Sequence, residues 1–210
     1  MTRMLIKKET NMSNISLDKI KSLRERTGLG VMEVKAALQE TNGDEEEAIR
    51  ILRERGKAKM VKRQERKANQ GVIHSYIHFN KRMGSLVELN CETDFVANTD
   101  NFRNLAEEIA QQVVACSPLA VKRDLLDPEL VKAEKEIYLK QMENEKKPAN
   151  IIEKIVNGKL EKYYEEVVLM EQKYFKNEKI TIKDMIDDMQ TKTGEVIAIG
   201  RIARFELGTN

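Results

Sequence analysis

The last strand-like segment dictates the topology. Residues 195–207 are rich in β-branched side chains and are bounded by Gly194 and Gly208. A strand needs partners for its backbone N–H and C=O groups. The other strand-like segments lie more than a hundred residues upstream. From about Gly71, Ile73, Ile77 and Phe79 alternate with polar or amphipathic neighbours, as in a half-buried strand. A turn over 80–84 leads into a second strand at 85–91, and so short a connection makes an antiparallel hairpin. The C-terminal strand must close on that hairpin, so everything between is an excursion from one sheet. The pattern predicts an α+β fold, with a three-stranded antiparallel sheet packed with helices.

The excursion reads as helical. Thr99 is placed to cap a helix whose Phe102, Leu105, Ala106, Ile109 and Val113 share one face. Residues 127–175 are highly charged, and Pro148, suited to the first turn of a new helix, divides them into a protruding helical hairpin. A further short helix is expected over 181–190, with Ile182, Met185, Ile186 and Met189 inward.

Upstream, residues 1–14 are polar and aperiodic and are expected to form a flexible extension. Residues 15–56 read as a three-helix module. Ser16 caps the first helix, Asp18 suits its first turn, and Leu17, Ile20 and Leu23 form its apolar side. Gly28 supplies the left-handed residue that ends it. Val34, Ala37 and Leu38 line a second helix over 31–40. Asp44 caps a third, with Glu47 completing a capping box, Ala48, Ile51 and Leu52 inward, and Gly56 as its stop. About forty residues make a small core, as befits a docking piece. Residues 57–70 form a basic helical linker carrying Lys57, Lys59, Lys62, Arg63, Arg66 and Lys67. The core domain is expected over 71–210.

Much chemistry is excluded. The chain has 37 Lys and Arg against 35 Asp and Glu, a net charge of +2, so no global field draws it to nucleic acid or an anionic membrane. No apolar run reaches the roughly 18 residues that span a bilayer, and no secretory signal opens the chain. Cys91 and Cys116 do not make a disulfide scaffold and fit a reducing compartment. There is no phosphate-binding loop of the Gly-x-x-x-x-Gly-Lys type. His74 and His78, on one strand face, lie roughly 13 Å apart, too far to share a metal. Neither cysteine has a nearby histidine to activate it. No enzyme, cofactor or metal site is expected. The basic linker leaves a second function open, RNA or ribosome association, but it carries no aromatic residue to stack on bases. Nucleic acid is not the expected partner.

The most informative stretch is Glu88-Leu-Asn-Cys-Glu-Thr-Asp-Phe-Val-Ala-Asn98. Here an acid and a large aromatic, Asp94 and Phe95, follow a strand end. By residue type alone, Phe95 either plugs a core or is presented to a partner. This stretch, and Leu23-Arg-Glu-Arg-Thr-Gly-Leu-Gly-Val-Met-Glu-Val-Lys-Ala-Ala-Leu38, resemble the signature regions of bacterial and organellar translation elongation factor Ts. The order and spacing also match, and the resemblance covers essentially everything after residue 14.

The resemblance implies an exchange factor that promotes GDP release from the GTPase elongation factor Tu. It implies that residues 15–56 are a ubiquitin-associated-like domain docking on the partner's G domain through Arg24, Val31 and Met32. Val31 stands where related chains carry Met. It further implies that the core presses Thr93, Asp94, Phe95 and Val96 beside the Mg²⁺ and phosphate site of the GDP-bound partner. Asp94 then acts through its charge or holds the turn by a side-chain bond to its own backbone. Burying a Phe is worth roughly 1.5–3 kcal/mol. Spent wholly against the nucleotide complex, this speeds release by about one to two decades, so the surfaces holding Phe95 must contribute too. Longer family members hold two related sheet-and-helix halves, whereas this chain has material for one. A homodimer is therefore expected, in a bacterial cytoplasm or, if organelle-encoded, in an organelle matrix or stroma.

Overall fold

The computed structural model describes residues 15–61, 66–142 and 148–209. The described residues fall into two compact units on either side of residues 62–65.

The first unit is three helices, α1 (Leu17–Thr27), α2 (Val31–Glu40) and α3 (Glu45–Val61). Ser16 Oγ accepts from Asp18 N, and Gly28 closes α1 in the left-handed region at φ 69°. Ile20 and Leu23 pack with Val34, Ala37, Leu38, Ala48 and Leu52. Leu17, expected on that face, is exposed instead. Two expectations for α3 need correction. Asp44 Oδ1 accepts from Glu47 N at 3.0 Å, but Glu47 does not return the bond. The Asp44 N–H already donates to Thr41 O, so the Glu47 carboxylate is free to pair with Arg50. Nor does Gly56 stop the helix, which runs on to Val61. One glycine costs a helix only about 1 kcal/mol relative to Ala, and the Lys and Ala that follow are good helix formers. Thus Lys57 and Lys59 belong to α3, while Lys62 and Arg63 lie outside the described residues, as do residues 1–14.

The second unit is built on a sheet of order β1-β2-β5, formed by β1 (Gln70–Ile77), β2 (Met83–Cys91) and β5 (Ala198–Glu206). Both pairings are antiparallel. The fold is α+β, with the C-terminal strand closing on the early hairpin. The inner face carries Val72 and Tyr76 of β1, Val87 and Leu89 of β2, and Ile199 and Ile202 of β5. This reverses the expected face of β1. Ile73, Ile77 and Phe79 point away from the core, because the β1 residues opposite Val87 and Leu89 are His74 and Val72. A one-residue offset moves a whole apolar set to the other face, and here both sets contain apolar residues.

The inner face is covered by α5 (Asp100–Cys116), which places Phe102, Leu105, Ala106, Ile109 and Val113 on it as its periodicity predicts. Thr99 caps α5 through Phe102 N at 3.3 Å. Next come α6 (Pro128–Met142) and α7 (Ala149–Val167), an antiparallel pair in contact through Met142, Val156 and Leu160. At their root the Arg123 guanidinium grips Glu161 and Glu171 and lies 4.2 Å over the Tyr164 ring. The charge pairing holds the Arg123 pKa well above its ordinary value.

The helical reading to 175 overshoots. The chain leaves α7 at Val167 and makes a small hairpin of β3 (Lys173–Tyr174) and β4 (Asn177–Thr181). Buried Gln112 organises it, donating to Gln172 Oε1 and Lys173 O and accepting from Phe175 N. Last, α8 (Ile182–Thr193) opens with a full capping box between Thr181 and Asp184 and turns Ile182, Ile186 and Met189 inward.

Two measurements test this packing. Phe102→Ala removes a fully buried ring from the α5–sheet contact and is expected to cost about 3–5 kcal/mol of core stability in urea unfolding. Glu108 gives a pH dependence. Burial opposes its charge, but bonds from Lys176 and Tyr174 outweigh burial, and its pKa lies below the ordinary value. A lowered folded pKa stabilises fully above the unfolded pKa and is lost as pH falls through the folded one. The stability gap between wild type and Lys176→Met should therefore be widest near neutrality and close on acidification below the Glu range.

Candidate functional site

The segment after β2 is tied down at several points while its aromatic stays bare. Residues Asp94–Ala97 form a one-turn helix, α4, capped by Thr93, whose Oγ1 accepts from Val96 N at 3.4 Å. Val96 packs against the core and Ala97 is buried in it. Asn98 N and Nδ2 both donate to Asp94 O, and the Thr99 hydroxyl donates to Val96 O. Phe95 is left 81% exposed. It does not plug the core.

Asp94 is exposed at the start of α4, where the partial positive charge of the helix end favours an acid. The turn's capping oxygen belongs to Thr93, and among the described residues none donates to the Asp94 carboxylate.

The turn is also held from far along the chain. Glu195 Oε2 accepts from Glu92 N and Thr93 N, both at 3.1 Å, and its Oε1 accepts from the Thr93 hydroxyl at 2.6 Å. In return Glu92 Oε1 accepts from Val196 N at 2.8 Å, while Arg66 pairs with Glu92 Oε2 at 3.1 Å. These bonds explain why β5 begins at Ala198 rather than at 195: Val196 N is engaged by Glu92, and Ile197 N donates to Gln190 Oε1 at 3.4 Å. Neither Glu92 nor Glu195 stands out in the sequence, since their partners are about a hundred residues away and mostly backbone.

In the helical unit, Arg24 lies on α1, and Val31 and Met32 form the first turn of α2, just past the Gly28–Gly30 turn. Met32 is 74% exposed, Val31 is 46% exposed and Arg24 lies on the surface, beside a core made of other residues. The two sets of sequence-selected residues therefore sit in different units; in the second unit Asp94 and Phe95 are exposed, while Thr93 and Val96 are partly buried.

Among the described residues, no group of three or more His, Cys, Asp or Glu could hold a metal ion. His74 and His78 share the β1 face with Tyr76 between them, and Tyr76 Oη lies 3.1 Å from His78 Nδ1. Burial raises the pKa of both thiols, and the nearby Glu195 charge adds to the effect at Cys91, whose Sγ donates to Thr93 O. No helix among the described residues is long and apolar enough to cross a membrane.

A family model described as "Elongation factor TS" matches residues 8–209. The chain belongs to the elongation factor Ts family. The Elongation factor Ts of Thermotoga petrophila is 50% identical over 194 residues, covering 92% of this chain and 96% of the relative. That of Caldanaerobacter subterraneus subsp. tengcongensis is 50% identical, covering 92% and 97%, and that of Carboxydothermus hydrogenoformans is 50% identical, covering 92% and 89%. The family places the chain in translation elongation, as a nucleotide exchange factor for elongation factor Tu rather than a catalyst.

The thiols give a direct check on the turn's surroundings. Cys91 is buried with a raised pKa, so in the native protein at neutral pH its alkylation should be at least about tenfold slower than in urea-unfolded chain. Mass mapping of the modified peptide measures this.

Proposed function

We propose that the chain speeds GDP release from elongation factor Tu by docking with its helical unit and inserting the Asp94–Phe95 turn beside the Mg²⁺ and phosphate site. The observation that carries this reading is an aromatic ring 81% exposed on a turn whose backbone is held at both ends. A large apolar side chain kept in water by a firmly tied backbone is suited to burial in a partner.

Arg24, Val31 and Met32 make the docking face of a ubiquitin-associated-like domain on the partner's G domain. Thr93 and Val96 fix the turn's ends, Phe95 enters between partner elements, and the Asp94 charge disfavours the Mg²⁺-bound arrangement. Only interactions made more strongly with the nucleotide-free state promote release. Coupling is reciprocal, so GDP must weaken binding of the factor as much as the factor weakens GDP. The factor meets the GDP-bound form in the bacterial cytoplasm.

We also infer a homodimer through the open face of the sheet. That face carries Ile73 (72% exposed), Ile77 (65%), Leu86 and Phe205 (67%). Ile77 lies across Gly84, where a Cβ would meet its Cδ1 at 2.7 Å. A three-stranded sheet with so apolar an outer face fits a second copy packed against it.

Release of a fluorescent GDP analogue from elongation factor Tu tests the exchange reading. Phe95→Ala should slow saturated release by about one to two decades, and an unchanged rate sinks the wedge. Met32→Ala should weaken binding by about tenfold with little change at saturation. Light scattering at micromolar concentration should give twice the chain mass, and a monomeric mass counts against the dimer.

A further inference from the structure

We propose that Glu195 is a positioning residue for nucleotide exchange, the group that sets the direction in which the Asp94–Phe95 turn leaves the sheet. The proposal rests on the reading of that turn as the exchange wedge. β2 ends at Cys91, and the next two backbone N–H groups, of Glu92 and Thr93, meet a single carboxylate oxygen, Glu195 Oε2, at 3.1 Å each. A side chain here does what a neighbouring strand would otherwise do, satisfying successive donors so that the chain need not fray. The other oxygen accepts from the Thr93 hydroxyl at 2.6 Å, a length typical of a hydroxyl donating to a charged carboxylate.

That hydroxyl cannot point its proton elsewhere while the bond lasts. Its lone pair is thereby turned to Val96 N, the capped donor of α4. One carboxylate thus controls both the backbone before the turn and the cap within it, two residues from Phe95. Glu92 closes the clamp by accepting from Val196 N at 2.8 Å. Four hydrogen bonds join 92–93 to 195–196 across about a hundred residues of chain. Because α8 is closed by its C-cap Gly194, immediately before Glu195, the clamp also ties the turn to the segment that leads from α8 into β5.

A ring at the tip of a four-residue helix strains a partner only if its base does not yield. Loosening the clamp should spare the initial contact, which also involves the docking unit, and lower the rate once the complex has formed. Hydrogen bonds to charged groups are among the stronger ones in proteins. Glu195→Ala is therefore expected to lower the saturated rate of GDP release by about tenfold, with a change in affinity of no more than about threefold. Glu195→Gln should recover most of the rate. Its amide oxygen can accept from both N–H groups, and the Thr93 hydroxyl can turn to accept from the amide.

The experiment is a set of GDP-release titrations on wild type, Glu195→Ala, Glu195→Gln, Phe95→Ala and the Phe95→Ala/Glu195→Ala double variant. Amide hydrogen exchange at Thr93 and Val96 is measured alongside. The expected result is a slow Glu195→Ala, rescue by Gln, faster exchange at those two amides only in the Ala variant, and no further slowing in the double variant. A wild-type rate for Glu195→Ala with a slow Phe95→Ala overturns the positioning role and leaves the wedge standing. A wild-type rate for Phe95→Ala overturns the wedge and the proposal with it. If Glu195→Ala fails to fold, Thr93→Val removes the hydroxyl, and with it both the bond to Glu195 and the cap on Val96 N, while the two backbone N–H groups keep the carboxylate. Several-fold slowing at saturation is then expected, and no slowing counts against the proposal.

Discussion

Everything in the larger unit depends on β2 being paired along both edges. Its partners are β1, reached through a tight turn, and β5, reached after about a hundred residues. The second pairing is the expensive one, because closing so long a loop must be offset by contacts formed elsewhere. The α5 face supplies them, with Phe102, Ile109 and Val113 packed against Val87 and Leu89. Once α5 is in place, the β3–β4 hairpin and α8 have a surface to pack on, and α8 delivers the chain to β5. The buried polar groups follow the same order. Ser85 donates to Ala110 O, and Gln112 spans α5 and the small hairpin, so among the described residues no buried side-chain polar atom is left unpaired.

The pairing of β2 and β5 is interrupted in an informative place. Between Val87 and Leu89 the register slips, so that Gly200 and Arg201 both stand opposite Glu88. Glu88 uses the space, accepting from Asn90 and from Arg201 on the outer face, and those bonds lower its pKa. Gly200 has no side chain to obstruct them, since a Cβ there would sit 2.7 Å from Glu88 Oε1. The outer face is thereby divided. Glu88, Asn90 and Arg201 make the end near the Asp94–Phe95 turn more polar, with Ile73 opposite Glu88, and Ile77, Leu86 and Phe205 occupy the other end. A face so divided can bury one end in a second copy while its polar end remains in water.

The Asp94–Phe95 turn departs from the C-terminal end of β2 and carries its aromatic outward on a base tied from both sides. The stiffness comes from short-range and long-range bonds together. Thr93, Asn98 and Thr99 close the turn on itself, and Glu195 and Glu92 fasten it to the start of β5. The proposed wedge needs such a base, because a wedge on a soft support spends its burial energy bending itself.

Much of this was legible in the sequence. Periodicity placed α1, α2 and α5, and Thr99 and Gly28 marked helix ends, because capping and left-handed turns are local chemistry. The two signature stretches carried the family, and the exposed tip of the turn falls within one of them. What the sequence left undecided depended on distant neighbours. The inner face of β1 is ambiguous in the sequence because Val72 and Tyr76 compete with Ile73 and Ile77 in one strand, and only the packing of α5 on the sheet selects between them. Gly56 reads locally as a stop, although a helix tolerates one glycine. The β3–β4 hairpin was missed because buried Gln112, more than sixty residues upstream, supplies its bonds. Glu195 was invisible as anything but the first residue of a strand. Local sequence determined which elements form and that Phe95 follows a strand end. Tertiary structure alone decided what holds that end in place, because a carboxylate can bond backbone N–H groups a hundred residues away only after the sheet has closed.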